Sequence, residues 1–394
     1  HVDENKKVTV GESGVASTIS GIPFFQGDTG SIYTHDVSGT DSTATYNTAY
    51  GLNALDAITT ADSCTAVGYQ AGSAKNSGNH GTFIGYNAGL ACTTGNDVTF
   101  VGSEAGDGHD TESYNTGVGS GALGGAIAGG ENNVAVGAYT LDAALTGDNN
   151  VAIGHSSGSS ITSGTRTTIV GASAAQSSTT CDDSVIIGYQ AAGESGTAMT
   201  GNDNTFVGSQ AGYAHTSGYN NVLIGKEAGY SITTGARNLF IGCGAGDGHD
   251  AETYNVGVGE AALGGSIAGG EYNTAVGPLS LLVLTSGDFN TASGYQSGYA
   301  VTSGGYNTMI GYATGKTGTS LTSGSYNLFL GAHTRASAAD SEYQMVIGYD
   351  IAGGEDSEVS IGKNSNVIRC QFDTDATWTR DSDERKKKNI KPDV

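Results

Sequence analysis

The sequence predicts an all-β chain, a repetitive parallel β-solenoid or β-roll with coils of about 17 residues. Three observations carry this. A motif of the form Asn–Thr/Val–x–Val/Ile–Gly recurs along nearly the whole chain, its closing glycine falling at 51, 68, 85, 102, 119, 137, 154, 171, 188, 208, 225, 242, 259, 277, 294, 311, 331, 348 and 362. Thirteen of the 18 intervals are 17 residues long and the others run from 14 to 20, so they read as loop adjustments on a fixed coil. The 65 glycines and 3 prolines show no Gly-X-Y period, and the chain is 37% hydrophobic, which excludes collagen and simple disorder. No helical period of useful length occurs.

Each column of the repeat, counted from the closing glycine, has a chemical character. Position −1 is Val or Ile in 16 of 19 coils, and position −3 is Thr, Val or another apolar residue. Side chains alternate faces along a strand, so these two columns point the same way and are expected to form the β-branched ladder of a narrow core. Position −4 is Asn in 12 of 19 coils, where it can bond its own backbone and its stacked neighbours. The glycine turns the corner, and position +3 is Ala, Ser or Thr in 18 of 19 coils, a mark of close packing. Position −2 must then face away, yet ten of its residues are large and apolar: Phe83, Phe100, Ile169, Ile186, Phe206, Leu223, Phe240, Met309, Phe329 and Val346. Soluble monomers avoid such a stripe, so its burial between chains is expected, with a second layer inside each coil as the alternative. Coils stacked at about 4.8 Å would make a rod on the order of 90 Å long.

Residues 1–46 fit the register poorly and read as a lead-in segment or the end of a preceding module; since the sequence opens on His1, an upstream portion is expected. The repeat shaft spans 47–362, residues 363–381 connect, and 382–394 begin a separate region. Residues 106–137 recur at 246–277 with 24 of 32 positions identical, an eight-coil duplication that carries a Gly-rich bulge in each copy (Gly124–Gly130 and Gly264–Gly270).

The formal net charge is −23. Residues 380–394 hold six basic and four acidic side chains, leaving 10 against 35, or −25, before them. Such a surface repels nucleic acid and anionic membrane, and no apolar run is long enough for a membrane helix. Five widely spaced cysteines (Cys64, Cys92, Cys181, Cys243, Cys370) show no metal-ligand spacing and read as free structural thiols.

The ladder with its Asn and Gly columns resembles the head repeats of trimeric autotransporter adhesins and the related repeats of bacteriophage tail fibres, with a spacing near 17 residues where the adhesins have 14. The run Thr379-Arg380-Asp381-Ser382-Asp383-Glu384-Arg385-Lys386-Lys387-Lys388-Asn389-Ile390 resembles the junction that opens the S74-type intramolecular chaperone domain of phage tail fibres and tailspikes. In that family the C-terminal domain trimerises the chain and is released by self-cleavage with a serine–lysine dyad. The resemblance places the dyad at Ser382 and Lys387, with Lys386 where the family has Leu and only 12 residues following Ser382. It implies a homotrimeric virion fibre, extracellular and without cofactor or metal. Its shaft is not an enzyme and presents loops to a host polysaccharide or protein receptor, alongside other tail proteins. The alternatives are a bacterial trimeric adhesin, which calls for a C-terminal barrel anchor where this sequence carries a chaperone-type junction, and a polysaccharide-degrading tailspike.

Two weaker motifs stand apart from that resemblance. Asp107-Gly-His109-Asp110-x-Glu112, repeated at Asp247-Gly-His249-Asp250-x-Glu252, offers cation ligands without the spacing of calcium loops and reads as a polar turn. Tyr69, Tyr86, Tyr189, Tyr295, Tyr312 and Tyr349 follow the glycine and read as corner covers, with sugar stacking as the functional alternative.

Overall fold

The computed structural model describes residues 17–19, 22–26, 30–37, 40–126, 129–193, 198–266, 269–316, 318–373 and 378–381. It is an all-β parallel solenoid of about 19 turns with coils of about 17 residues, and the described residues contain no helix. The chain divides into two compact units, His1–Asn202 and Asp203–Val394.

In the first unit, Ser17–Ile19 pairs antiparallel with Ile22–Gln26, which pairs antiparallel with Ile32–Tyr33. Pairing is parallel from there through Thr48–Tyr50 and Thr65–Val67 to Val185–Ile187, one short strand per coil. In the second unit the parallel ladder runs from Thr205–Val207 to Glu358–Lys363, then reverses into the antiparallel strands Asn366–Gln371 and Trp378–Asp381. Register is strict: Val222, Leu223 and Ile224 face Leu239, Phe240 and Ile241. The closing glycine is forced by backbone proximity. Gly154 has φ +135°, and a Cβ there would lie 2.6 Å from the carbonyl oxygen of Gly171 in the next coil.

The faces of the strand are the reverse of the sequence expectation. Position −2 is the core: Phe83, Phe100, Ile169, Ile186, Phe206, Leu223, Phe240, Met309, Phe329 and Val346 are fully buried inside their own units. The Val/Ile column at −1 and the Thr/Val column at −3 face outward. Alternation allows a three-residue strand one inward side chain, and the inward set is the one that includes the buried asparagines at −4.

A volume exchange confirms that −2 is internal. Where −2 is large, position +4 is small: Phe83 with Gly89, Phe100 with Gly106, Phe206 with Gly212, Phe240 with Gly246. Where −2 is glycine, as at Gly117 and Gly257, position +4 is Leu123 or Leu263, both fully buried. A Cβ on Gly212 (φ +60°) would meet the Phe206 ring at 2.9 Å. The exchange is made within these coils, whereas Ala66 with Gly72, Ala152 with Gly158 and Ala292 with Gly298 are small at both positions and Phe329 with Arg335 is large at both.

The asparagines at −4 form a buried hydrogen-bonded ladder. Asn238 shows the pattern: its backbone N–H and Nδ2 donate to Asn221 Oδ1 (3.0 and 3.2 Å), Nδ2 also donates to the Glu252 carbonyl (2.8 Å), and its Oδ1 accepts from the Asn255 N–H (2.9 Å). In the first unit the column is interrupted at Cys64, Gly81, Val98, Thr167 and Ser184. The carbonyl an asparagine at 81 would satisfy is that of Gly95, and there the fully buried Lys75 reaches across to donate from Nζ. The same ammonium lies 3.9 Å from Cys92 Sγ, and Cys64 Sγ approaches the Gly78 carbonyl at 3.9 Å.

Two destabilisations follow from this packing. Gly212→Ala is expected to lower stability by roughly 1–3 kcal/mol through overpacking, and Phe206→Ala by roughly 3–5 kcal/mol through the cavity it leaves. The double variant should lose clearly less than the sum, because removing the ring makes room for the new methyl. A urea-unfolding double-mutant cycle measures this, and additive losses would contradict the shared space.

Candidate functional site

With the aromatic column inside, the surface of each ladder is the strand's other face. At −1, residues including Val67, Ile84, Ile153, Ile241, Val276 and Ile310 are between 36% and 44% exposed, one per coil at the strand spacing. Each unit therefore carries a continuous band of half-exposed β-branched side chains flanked by Thr and Val at −3.

Position −5 adopts a left-handed backbone conformation in every coil, for example Tyr254 (φ 59°), Tyr306 (φ 57°) and Tyr326 (φ 62°). Bulky residues avoid this region, and here the stacked coils on either side impose it. In the second unit the column becomes a continuous exposed stack, Tyr254–Tyr272–Phe289–Tyr306–Tyr326–Tyr343, with centroids 4.8–5.0 Å apart. Arg237 continues it, its guanidinium 4.8 Å from the Tyr219 ring and 5.3 Å from that of Tyr254. The corner tyrosines behave alike: Tyr69 stacks on Tyr86 at 5.6 Å and Tyr295 on Tyr312 at 5.5 Å. Ring faces turned to one another offer mainly edges to a ligand, so these stacks seal corners of the coil.

The Asp-Gly-His-Asp-x-Glu motif is dismantled by the fold into three separate roles. His109 and His249 are fully buried, their centroids 4.6 Å from the Phe100 ring and 4.7 Å from the Phe240 ring. Among the described residues neither ring has a hydrogen bond of good geometry, the nearest backbone interactions being with Leu123 and Gly246. His215 packs likewise on Phe206 at 4.9 Å. Glu112 and Glu252 tie down the Gly-rich bulges: Oε1 accepts the N–H of Gly129 (3.0 Å) or Gly269 (2.9 Å), and Oε2 that of Asp110 (3.2 Å) or Asp250 (2.8 Å). Among the described residues no three His, Cys, Asp or Glu side chains are grouped to hold a metal ion.

Asp107 and Asp247, which open the motif, remain at the surface. In the second unit Asp247 sits in an open groove of about 500 Å3, lined also by Gln210, Glu227, Tyr230, Ser231 and Ser266. Asp247 Oδ1 is shielded from solvent. Burial, and to a lesser extent the Glu227 carboxylate, holds its carboxyl above the usual range. Glu227 is paired at the surface with Lys226 (3.1 Å). Tyr213 stacks on Tyr230 at 4.9 Å, and the next two coils place Asp247 and Gly264 in that column, so the stack stops at the groove. No periodicity pointed to this groove, because its residues come from four coils and differ from one to the next.

Ser382 and Lys387 lie outside the described residues. Four of the five cysteines are buried, with burial pushing the Cys64, Cys92 and Cys181 thiols up, Cys181 to about 11, whereas Cys243 is exposed. No helix among the described residues is long and apolar enough to cross a membrane. No protein-family model matches the chain, and no curated protein matches it.

The buried imidazoles set an acid limit. Burial pushes His109 and His249 down from 6.5 to about 3, and His215 to about 4. Folded values below the unfolded one mean that the unfolded chain takes up protons first, so stability is retained above pH 6.5 and lost as pH falls towards 3–4, by about 1.4 kcal/mol per unit for each ring. Asp107, Asp142 and Asp247, raised by burial, oppose this. Melting measured from pH 7 to 4 should fall steeply, and His109→Leu with His249→Leu should flatten the slope; an unchanged slope would contradict the assignment.

Proposed function

We propose that this chain is a structural and host-adhesion component of a virion, a segment of trimeric phage tail-fibre shaft ending at a self-cleavage junction. The observation that carries the reading is the outward Val/Ile band. A half-exposed apolar band repeated coil after coil is a surface that soluble chains cover, and a partner with the same coil rise matches it residue for residue. Three copies packing these strand faces bury the bands and leave the loops and turns of the coil outward, for contact with a host envelope. The net charge of −23 keeps such an assembly soluble and away from nucleic acid.

The junction reading rests on the resemblance of residues 379–390. Lys387 takes the Ser382 hydroxyl proton, and the freed oxygen attacks the adjacent Asp381 carbonyl carbon. The C–N bond to Ser382 breaks as that proton passes to the leaving amine, and water hydrolyses the resulting ester so that the C-terminal portion leaves. A polysaccharide-degrading tailspike is a second reading, favoured by the two carboxylates of the groove at Asp247.

Light scattering on the chain expressed through its natural C-terminus is expected to give a mass of three copies, with loss of a C-terminal fragment that Ser382→Ala prevents. Ile224→Asp with Ile241→Asp, on the outward face, should release monomers that keep their β-sheet circular dichroism. Phe240→Asp, in the core, should instead unfold the second unit. A native mass of one copy, or a mass untouched by the outward aspartates, would refute the assembly.

A further inference from the structure

The groove at Asp247 differs from its own duplicate in a way that points to a ligand. The 140-residue repeat offset pairs Gln210 with Gln70, Glu227 with Asn87, Tyr230 with Leu90, Ser231 with Ala91, Asp247 with Asp107, Gly264 with Gly124 and Ser266 with Ala126. Inward positions differ between the two sets of coils as well, Leu223 standing for Phe83 and Asn238 for Val98. Of the groove's lining, Gln210, Asp247 and Gly264 have identical counterparts and four residues do not: an amide, an isobutyl group and two methyls in the first unit stand where the second has a carboxylate, a phenol and two hydroxyls. The result is a mixed polar and aromatic cleft of about 500 Å3, within the ~300–1,000 Å3 range of small-ligand sites.

We infer that this groove binds a neutral or amino sugar unit of a glycan chain, deepening the adhesion reading above. The carboxylates of Glu227 and Asp247 line the groove and accept hydrogen bonds from vicinal hydroxyls. Gln210 and the two serine hydroxyls both donate and accept, as a ring of alternating hydroxyls requires. The stack that ends at Tyr230 leaves a ring at the wall of the cleft for the apolar face of a pyranose. Two acidic groups in a chain of charge −23 reject uronic and sialic acids. The lining belongs to the turn after the closing glycine, positions +2 to +7, and not to the strand face assigned to chain contact.

An array of neutral, amino and acidic glycans probed with the full chain, followed by calorimetric titration of the strongest binder, tests this. Saturable binding of a neutral or amino glycan, one site per chain, is expected. Replacing Glu227→Asn, Tyr230→Leu, Ser231→Ala and Ser266→Ala together should weaken it at least about tenfold, or about 1.4 kcal/mol, with melting unchanged, because the coil already accommodates these residues at 87, 90, 91 and 126. Cleavage of the bound glycan that the same exchange abolishes would also support the saccharide site and make it degradative. Absence of any neutral or amino binder, equal binding of acidic glycans, or binding that survives the exchange would overturn it. The particle mass is read separately: three copies without glycan binding sinks only the groove, and glycan binding by a stable monomer sinks only the fibre.

Discussion

The fold depends on a buried side-chain amide that must find its partners one coil away. An asparagine with no solvent contact leaves costly groups unless every donor and acceptor is used. Along Asn204, Asn221, Asn238, Asn255, Asn273, Asn290, Asn307 and Asn327 the partners are the backbone N–H and amide of the adjacent asparagines and a carbonyl at the following turn. A slip of one residue between coils would break all of these at once and turn the phenylalanines to solvent. The first unit shows that the requirement is for a donor at that carbonyl rather than for asparagine itself. Lys75 serves Gly95, and the Thr167 hydroxyl serves the Cys181 carbonyl, each from a position whose backbone the stack already holds.

Register, once fixed, turns sequence columns into physical stripes. In several coils the inward stripes trade volume between −2 and +4, so bulk shifts from strand to turn. The outward stripe is Val or Ile in 16 of 19 coils, with Tyr50, Ser293 and Leu330 the exceptions. The −5 column is held left-handed whatever occupies it, which is how six aromatic rings in the second unit come to be stacked from a conformation that aromatic residues avoid.

Much of this was legible in the sequence. The glycine period gave the coil and its parallel stacking, and the small residues at +3 marked close packing. What misled was parity. Val67, Ile84 and Val101 look like core because β-branched residues are common inside, but propensity describes a pleated surface and not which side of it is wet. The deciding signals were present in the asparagine column, which shares a face with −2, and in the pairing of Phe206 with Gly212 and of Gly257 with Leu263. The groove was not legible, because Gln210 and Glu227 share one column and Tyr230 and Asp247 another without sharing a chemical character, and only the stacked coils bring them together.

A solenoid separates scaffold from surface more cleanly than a globular domain does. Each coil is specified by a few inward positions, and outward turn positions contact only their counterparts one coil above and below. Duplication of eight coils therefore copies the coil while leaving turn residues, and inward residues that find another way to fill the space, free to change, as with Phe83 and Leu223. His109 and His249, Glu112 and Glu252, and Phe100 and Phe240 are identical pairs because each fills space or satisfies backbone inside its own coil. Asn87 and Glu227, or Leu90 and Tyr230, lie at the turn, where Glu227 pairs with Lys226 and Tyr230 stacks on Tyr213 without filling the inside of the coil. Four of the differences nevertheless line one cleft, and there they replace an amide and apolar groups by a carboxylate, a phenol and two hydroxyls, the groups a surface needs for contact with a polar ligand.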